Sequence, residues 1–192
     1  MKIIVISGKA GSGKDTFGAL LSDSLKEMGH KTLITHYADL LKYIAINFFS
    51  WDGQKDKFGR DLLQHLGTDV VRANDKNFWV DFLIRVFQFF PDEWDFVIIP
   101  DCRFPNEIER FKECGYQIKH IRVWRNEQDN TIDMTEAQKM HESEIALDEF
   151  EPDWAVANVG TLSCLLDAAK RIAEELTGMS IGESIRGITD PF

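Results

Sequence analysis

The run Gly8-Lys9-Ala10-Gly11-Ser12-Gly13-Lys14-Asp15-Thr16 limits this chain more than any other feature. It fits the pattern G-x-x-x-x-G-K, and its context suits a phosphate loop. Lys2 to Ser7, just before it, is a short β-rich run that reads as a buried strand. Phe17, Leu20, Leu21, Leu25 and Met28, just after it, have the spacing of an amphipathic helix, with Gly29 as its stop. The glycines let the backbone curl around a phosphate, its N–H groups point inward, and the helix N-terminus adds a positive dipole. Lys14 is the cation expected at the β- and γ-phosphates of a nucleotide, partly exposed until they arrive. All nine residues are candidate phosphate ligands. The bland alternative is a glycine-rich turn that binds nothing.

One position departs from the pattern. Asp15 stands where Ser or Thr normally supplies a magnesium ligand, and Thr16 follows it. Either Asp15 takes the metal, directly or through water, or Thr16 does. A carboxylate beside phosphates is repulsive without Mg²⁺ between them, so the metal is expected.

Strand and helix patterns alternate along the rest of the chain, which favours a parallel sheet with crossover helices. Strands are expected at 32–37, 96–100, 118–124 and 154–158. Helices are expected at 105–114 and 162–176, and through 39–90 with a break around 50–57. The stretch 126–149 is polar and helical in part. The tail 178–192 reads as loosely packed or as a partner-binding segment. There is no internal repeat and no low-complexity linker, so 1–192 reads as one α/β domain.

Charge and cysteine usage exclude several functions. The formal charge is −10, with no basic stripe for a polynucleotide backbone. Any anionic ligand must be held by a few local cations. Cys102, Cys114 and Cys164 are widely spaced and form no CxxC pair, so free thiols are expected. No apolar run approaches the roughly 20 residues that cross a bilayer. No basic start or small-residue cleavage site precedes the loop, so a cytoplasmic protein without a signal peptide is expected.

Further segments line up with the phosphate loop: Ala38-Asp39-Leu40-Leu41-Lys42, the stretch from Arg60 to Arg72, Pro100-Asp101-Cys102-Arg103-Phe104-Pro105-Asn106-Glu107, and His141-Glu142-Ser143-Glu144. In this order the set resembles the deoxynucleoside monophosphate kinases of phage type, from the first strand to about Asn158. Leu40 departs from the family, which tends to have proline there. The resemblance implies a P-loop nucleoside monophosphate kinase fold: a five-stranded parallel sheet flanked by helices, an acceptor-binding helical region at about 39–90 and a lid at about 125–149. It implies the reaction ATP + dNMP to ADP + dNDP, with a small-molecule nucleotide acceptor and Mg²⁺. The acceptor phosphate is already an anionic nucleophile, so alignment and charge neutralisation would do the work, without a strong base.

Individual residues keep two readings each. Arg60, Gln64, Thr68 and Arg72, spaced by four, form one polar stripe on a helix, with Leu62, Leu63, Leu66 and Val70 facing away. The stripe is either a solvated face or the acceptor wall, and the resemblance favours the acceptor wall for Arg60, Gln64 and Arg72. A straight helix advances about 18 Å over that span, so Arg60 and Arg72 cannot share one phosphate unless Gly67 breaks it. Asp101 and Arg103 follow the C-terminal end of a strand, where open α/β sheets bind ligands. Asp101 would orient the hydration shell of the metal and Arg103 would bridge donor and acceptor phosphates; alternatively they anchor the helix at Pro105. Asp39 and Lys42 bind the acceptor, or Asp39 caps a helix. Arg125 is the lid arginine that the resemblance implies for the ATP phosphates, ahead of Arg122. Lys139, His141 and Glu144 belong to a lid helix, and His141 is not expected to be catalytic. The competing functions are another small-molecule P-loop kinase, acting on dephospho-coenzyme A or a phosphorylated metabolite, and a nucleotide-dependent regulatory module. The oligomeric state is open, a homodimer included.

Overall fold

A computed structural model describes residues 1–126 and 134–179. The run Lys2–Ser7 forms β1, buried from Ile3 onward. Ile3 and Val5 enter one core while Ile4 and Ile6 enter the other, so both faces of the sheet are covered. β1 pairs in parallel with β3 (Phe96–Ile99) on one side and β4 (Gln117–Trp124) on the other. β2 (Thr32–Ile34) extends the sheet beyond β3, and β5 (Trp154–Ala157) beyond β4. The order is β2-β3-β1-β4-β5, all parallel, as expected of a five-stranded α/β core.

Two layers of helices cover the sheet. On one face lie α1 (Lys14–Glu27) and the closing helix, α8 (Leu162–Thr177); Phe17, Leu21 and Leu25 pack in one core with Ala169, Ile172 and Leu176. α1 ends in a Schellman arrangement, with Gly29 N–H on Lys26 O at 2.9 Å and His30 N–H on Leu25 O at 3.1 Å. The other face is covered by α2 (Ala38–Phe49), α4 (Phe78–Phe89) and α5 (Pro105–Glu113) through Leu41, Ala45, Leu83, Phe87, Ile108 and Phe111. Fully burying each such large side chain contributes about 1.5–3 kcal/mol.

The region 39–90 departs from the expected single break. α2 stops at Ser50, in a left-handed conformation, and α3 (Lys57–Gln64) starts from Asp56, whose carboxylate accepts the Gly59 N–H at 2.8 Å. α3 then runs into a π-helical segment, His65–Arg72. A second break follows, where the Asp75 carboxylate accepts the Asn77 N–H at 3.0 Å and offers the backbone an alternative to helix. β2 is also shorter than expected, ending at Ile34 before the turn into α2. Within 134–149 the chain forms two single turns, α6 (Glu136–Lys139) and α7 (Glu142–Ile145). Apart from 178 and 179, the tail lies outside the described residues, as does part of the expected lid. No helix among the described residues is long and apolar enough to cross a membrane.

Candidate active site

The strand order reverses at β1, and its C-terminal end opens into a crevice. The phosphate loop leaves β1 there, and 101–103 follow β3 into the same place. Gly8 sits at φ 154°, where a Cβ would lie 2.2 Å from Val123 O, so a side chain is excluded sterically as well as conformationally. From the other side, Asn158 Nδ2 donates to Ser12 O at 2.9 Å, tying the loop to the end of β5. Ser12 Oγ is buried and has no hydrogen-bond partner among the described residues, as befits a loop shaped to hold an anion.

Lys14 is buried rather than partly exposed, correcting the expectation from sequence. Its ammonium curls back toward Lys9 O, at 3.4 Å. Burial lowers its pKa, and the Arg103 guanidinium lowers it further, against the pull of Asp15, Glu144 and Asp101. A nucleotide phosphate would supply countercharge there.

One cavity of about 290 Å³ gathers most of the expected residues. Ala10, Gly11, Lys14 and Asp15 line it from the phosphate loop and the start of α1, Lys42, Arg60, Gln64, Thr68 and Arg72 from the helical region, and Asp101 and Arg103 from the segment after β3. Thr16 and Asp39 are outside this lining. Thr16 is on the exposed side of the first turn of α1, and Asp39 turns to the His36 N–H at 2.9 Å and to Lys42 at 3.2 Å. Gly8, Lys9, Ser12, Arg103, Arg122 and Arg125 line a second, neighbouring cavity of about 140 Å³. Arg122 is committed elsewhere: it donates to the carbonyls of Leu147, Asp148 (3.0 Å) and Phe150 (2.6 Å).

The π-helical segment is what lets the polar stripe face one cavity. In an α-helix of 3.6 residues per turn, a four-residue spacing overshoots by about 40° at every step. The wider i→i+5 turns of 65–72 swing the later positions back. Gly67 permits a close approach there, since a Cβ would meet Leu41 Cδ2 at 2.8 Å. The apolar residues do not simply face away as expected: Leu63 lines the cavity and Val70 is exposed.

Sequence reading missed the contacts of three groups, one of which, Glu144, it assigned to a lid helix. Glu107 is buried, with Oε2 accepting the N–H groups of Arg103 (2.8 Å) and Phe104 (3.1 Å) and Oε1 facing Arg72 at 3.4 Å. Burial pushes its pKa up to about 7, against those bonds and the Arg72 charge. Arg72 is held in turn by Asn106 Oδ1 at 2.7 Å and by the Phe104 ring, 3.4 Å beneath its guanidinium carbon. His36 sits between Asp15 (3.3 Å) and Asp39 (3.3 Å); the hydrogen bond to Asp15 raises the imidazole pKa and lowers that of the carboxyl. Glu144 joins Arg103 to the phosphate loop. Asp101 also does more than its place after β3 suggests. Its two oxygens accept the N–H groups of Tyr37 and Ala38, each at 2.9 Å, fastening the start of α2 to the end of β3.

Among the described residues no three His, Cys, Asp or Glu side chains converge on a metal site. Mg²⁺ does not need such a cage, since it is usually bound by one or two carboxylates with waters and substrate phosphates. Asp15 and Asp101, hard oxygen donors lining one cavity with Lys14, fit that habit.

A family model described as deoxynucleotide monophosphate kinase matches residues 30–168. The chain belongs to the deoxynucleotide monophosphate kinase family. The family match begins beyond the phosphate loop, so loop and match point to a kinase independently. The fold is shared with a sugar kinase from Janibacter sp. HTCC2649 (13% identity, TM-score 0.54, covering 95% of this chain and 97% of that one). It is shared too with shikimate kinase from Bacteroides thetaiotaomicron (15%, 0.52, 93% and 99%) and with the Mycobacterium tuberculosis APS kinase CysC in complex with AMPPNP and APS (13%, 0.50, 92% and 97%). At these identities the likeness is one of fold. No curated protein matches the chain in sequence. This kinase-family member is thus a nucleotide-binding phosphotransferase built on a parallel α/β sheet.

Proposed function

We propose that this chain transfers the γ-phosphoryl group of ATP to a deoxynucleoside monophosphate, giving ADP and the dNDP. The observation behind this reading is that cations from three separate segments line one cavity: Lys14 from the phosphate loop, Arg60 and Arg72 from the helical region, and Arg103 from the segment after β3. A monophosphate acceptor carries close to two negative charges, and guanidinium groups clamp such a group with paired hydrogen bonds. Arg72 is preorganised for this role by Phe104, Asn106 and Glu107.

The chemistry asks little of a base. An oxygen of the acceptor phosphate attacks the γ-phosphorus in line, its bond forms as the β–γ bridging bond breaks, and ADP leaves with the bridging oxygen. Lys14 and Arg103 meet the charge on the transferring group, and the loop amides hold the β-phosphate. Bound Mg²⁺ would neutralise the donor phosphates, with Asp15 and Asp101 the carboxylates placed for it. Arg125 lines the second cavity, and on this reading it would close on the donor phosphates.

The test is a coupled ADP-release assay over deoxynucleoside and ribonucleoside monophosphates, with nucleosides and dephospho-coenzyme A as controls. Turnover with deoxynucleoside monophosphates, and little with nucleosides, is expected. Equal use of nucleosides, turnover confined to dephospho-coenzyme A, or ATP hydrolysis indifferent to any acceptor would overturn the reading.

A further inference from the structure

Glu144 belongs to α7, far from the phosphate loop in sequence, yet its carboxylate is almost completely buried against that loop. One oxygen accepts the Ala10 N–H at 3.3 Å; the other pairs with the Arg103 guanidinium. Arg103 also donates to Ser143 O at 3.0 Å. The backbone of the same turn is pinned independently. Lys9 Nζ donates to Glu144 O at 2.7 Å and pairs with Asp148 at 2.6 Å. Glu144 also contributes to the lining of both cavities, at the wall between them.

We propose that Glu144 is a positioning residue that fixes Arg103 to the phosphate loop, setting the guanidinium at the distance that phosphoryl transfer needs. This rests on the reading of Arg103 as the bridge between donor and acceptor phosphates. The physical case is one of geometry. Arginine has several rotatable bonds and, after a strand end, no helix to hold it. A buried carboxylate that also grips a main-chain N–H of the loop turns a flexible cation into part of the loop's frame. Charge-assisted hydrogen bonds of this kind add direction as well as attraction. Catalysis by alignment is sensitive to displacements of about 1 Å, so losing the bridge should slow transfer more than it weakens nucleotide binding.

The test compares Glu144→Gln and Glu144→Ala with wild type in the full chain, alone and combined with Arg103→Ala. Glu144→Gln keeps size and one acceptor but loses the charge. A 10- to 100-fold fall in kcat is expected on the scale of such alignment losses, at about 100-fold for the larger displacement, with the ATP dissociation constant, measured by calorimetry, moving less than about threefold. In the Arg103→Ala background the same change should cost less than about twofold, because the residue acts through Arg103. Additive losses, an unchanged kcat, or a fall that merely tracks a lower Tm would overturn the proposal. Tighter ATP binding with undiminished kcat in Glu144→Ala would also overturn it, showing a carboxylate that competes with the phosphate. Amide exchange at Ala10 reads the bridge without any acceptor: it should speed up in Glu144→Ala, and equal rates would refute the bridge itself. If wild type transfers phosphate to no monophosphate, the proposed function fails, while the Ala10 measurement still decides the bridge.

Discussion

Replacing Arg72 with alanine should destabilise the protein by an amount that grows with pH, and the reason lies in Glu107. This carboxyl has an ordinary value of 4.5 and is pushed up to about 7 by burial. A carboxyl raised by folding stabilises the fold while protonated. That contribution is complete below 4.5 and gone once the pH has risen through about 7. In the wild type, then, Glu107 ionises near neutrality, with Arg72 at 3.4 Å to receive the charge. Without the guanidinium its midpoint moves higher still. At about pH 6 the carboxyl is largely neutral in both proteins, and the variant loses the stack on Phe104 and the bond to Asn106, about 1–3 kcal/mol together. Above about pH 7 each further unit adds about 1.4 kcal/mol to the loss, until the variant's own midpoint is passed. Urea unfolding at pH 6, 7 and 8 measures this directly. A second pair, with Glu107→Gln in both backgrounds, should show a loss that no longer depends on pH. An identical loss at pH 6 and pH 8 in the single variant would refute the coupling.

Two further outcomes follow from the donor side. Lys14→Ala should lower kcat by about 100-fold or more while far-UV circular dichroism stays that of the wild type; near-normal turnover would remove the phosphate loop from the mechanism. Asp15→Asn should raise the Mg²⁺ concentration needed for half-maximal rate more than the ATP KM. It should also lower the His36 pKa, seen as a lower midpoint in its NMR titration, because the hydrogen bond that raises that pKa is lost.

The sheet was legible because its strands are local patterns. Lys2–Ser7, the glycine loop and the helix after it form one continuous stretch, and the apolar spacing of Leu165, Ala169, Ile172 and Leu176 announces α8 without help from the rest of the chain. Five strands therefore appeared near their true bounds. The lining of the cavity was legible where a residue's type and its place at a strand end were enough, as for Lys14, Asp101 and Arg103. What escaped depends on partners distant in sequence. Glu107 looks like any first-turn glutamate of a helix until Arg72 arrives from 35 positions away. His36 becomes a partner of Asp15 only when β2 and α1 lie side by side. Glu144 reaches Ala10 across 134 residues. The π-helical turns had no visible cause in composition; four-residue spacing of polar side chains is equally a solvated α-helical face.

Those wide turns make the cavity wall sensitive to chain length as well as to residue type. An i→i+5 turn holds more residues than an i→i+4 turn, so each residue in it advances less around the axis. Removing one residue from 65–72 would let ordinary i→i+4 pairing return, and the remaining residues, at about 100° each, would cover much the same arc as the wide turns do. Arg72 would then keep its bed on Phe104 and its place beside Glu107. Reverting to i→i+4 pairing at full length would instead add about 100° of rotation and turn Arg72 off that bed with its identity intact. Among related chains, then, a one-residue gap in this stretch marks a straightened helix that still presents the same arginine.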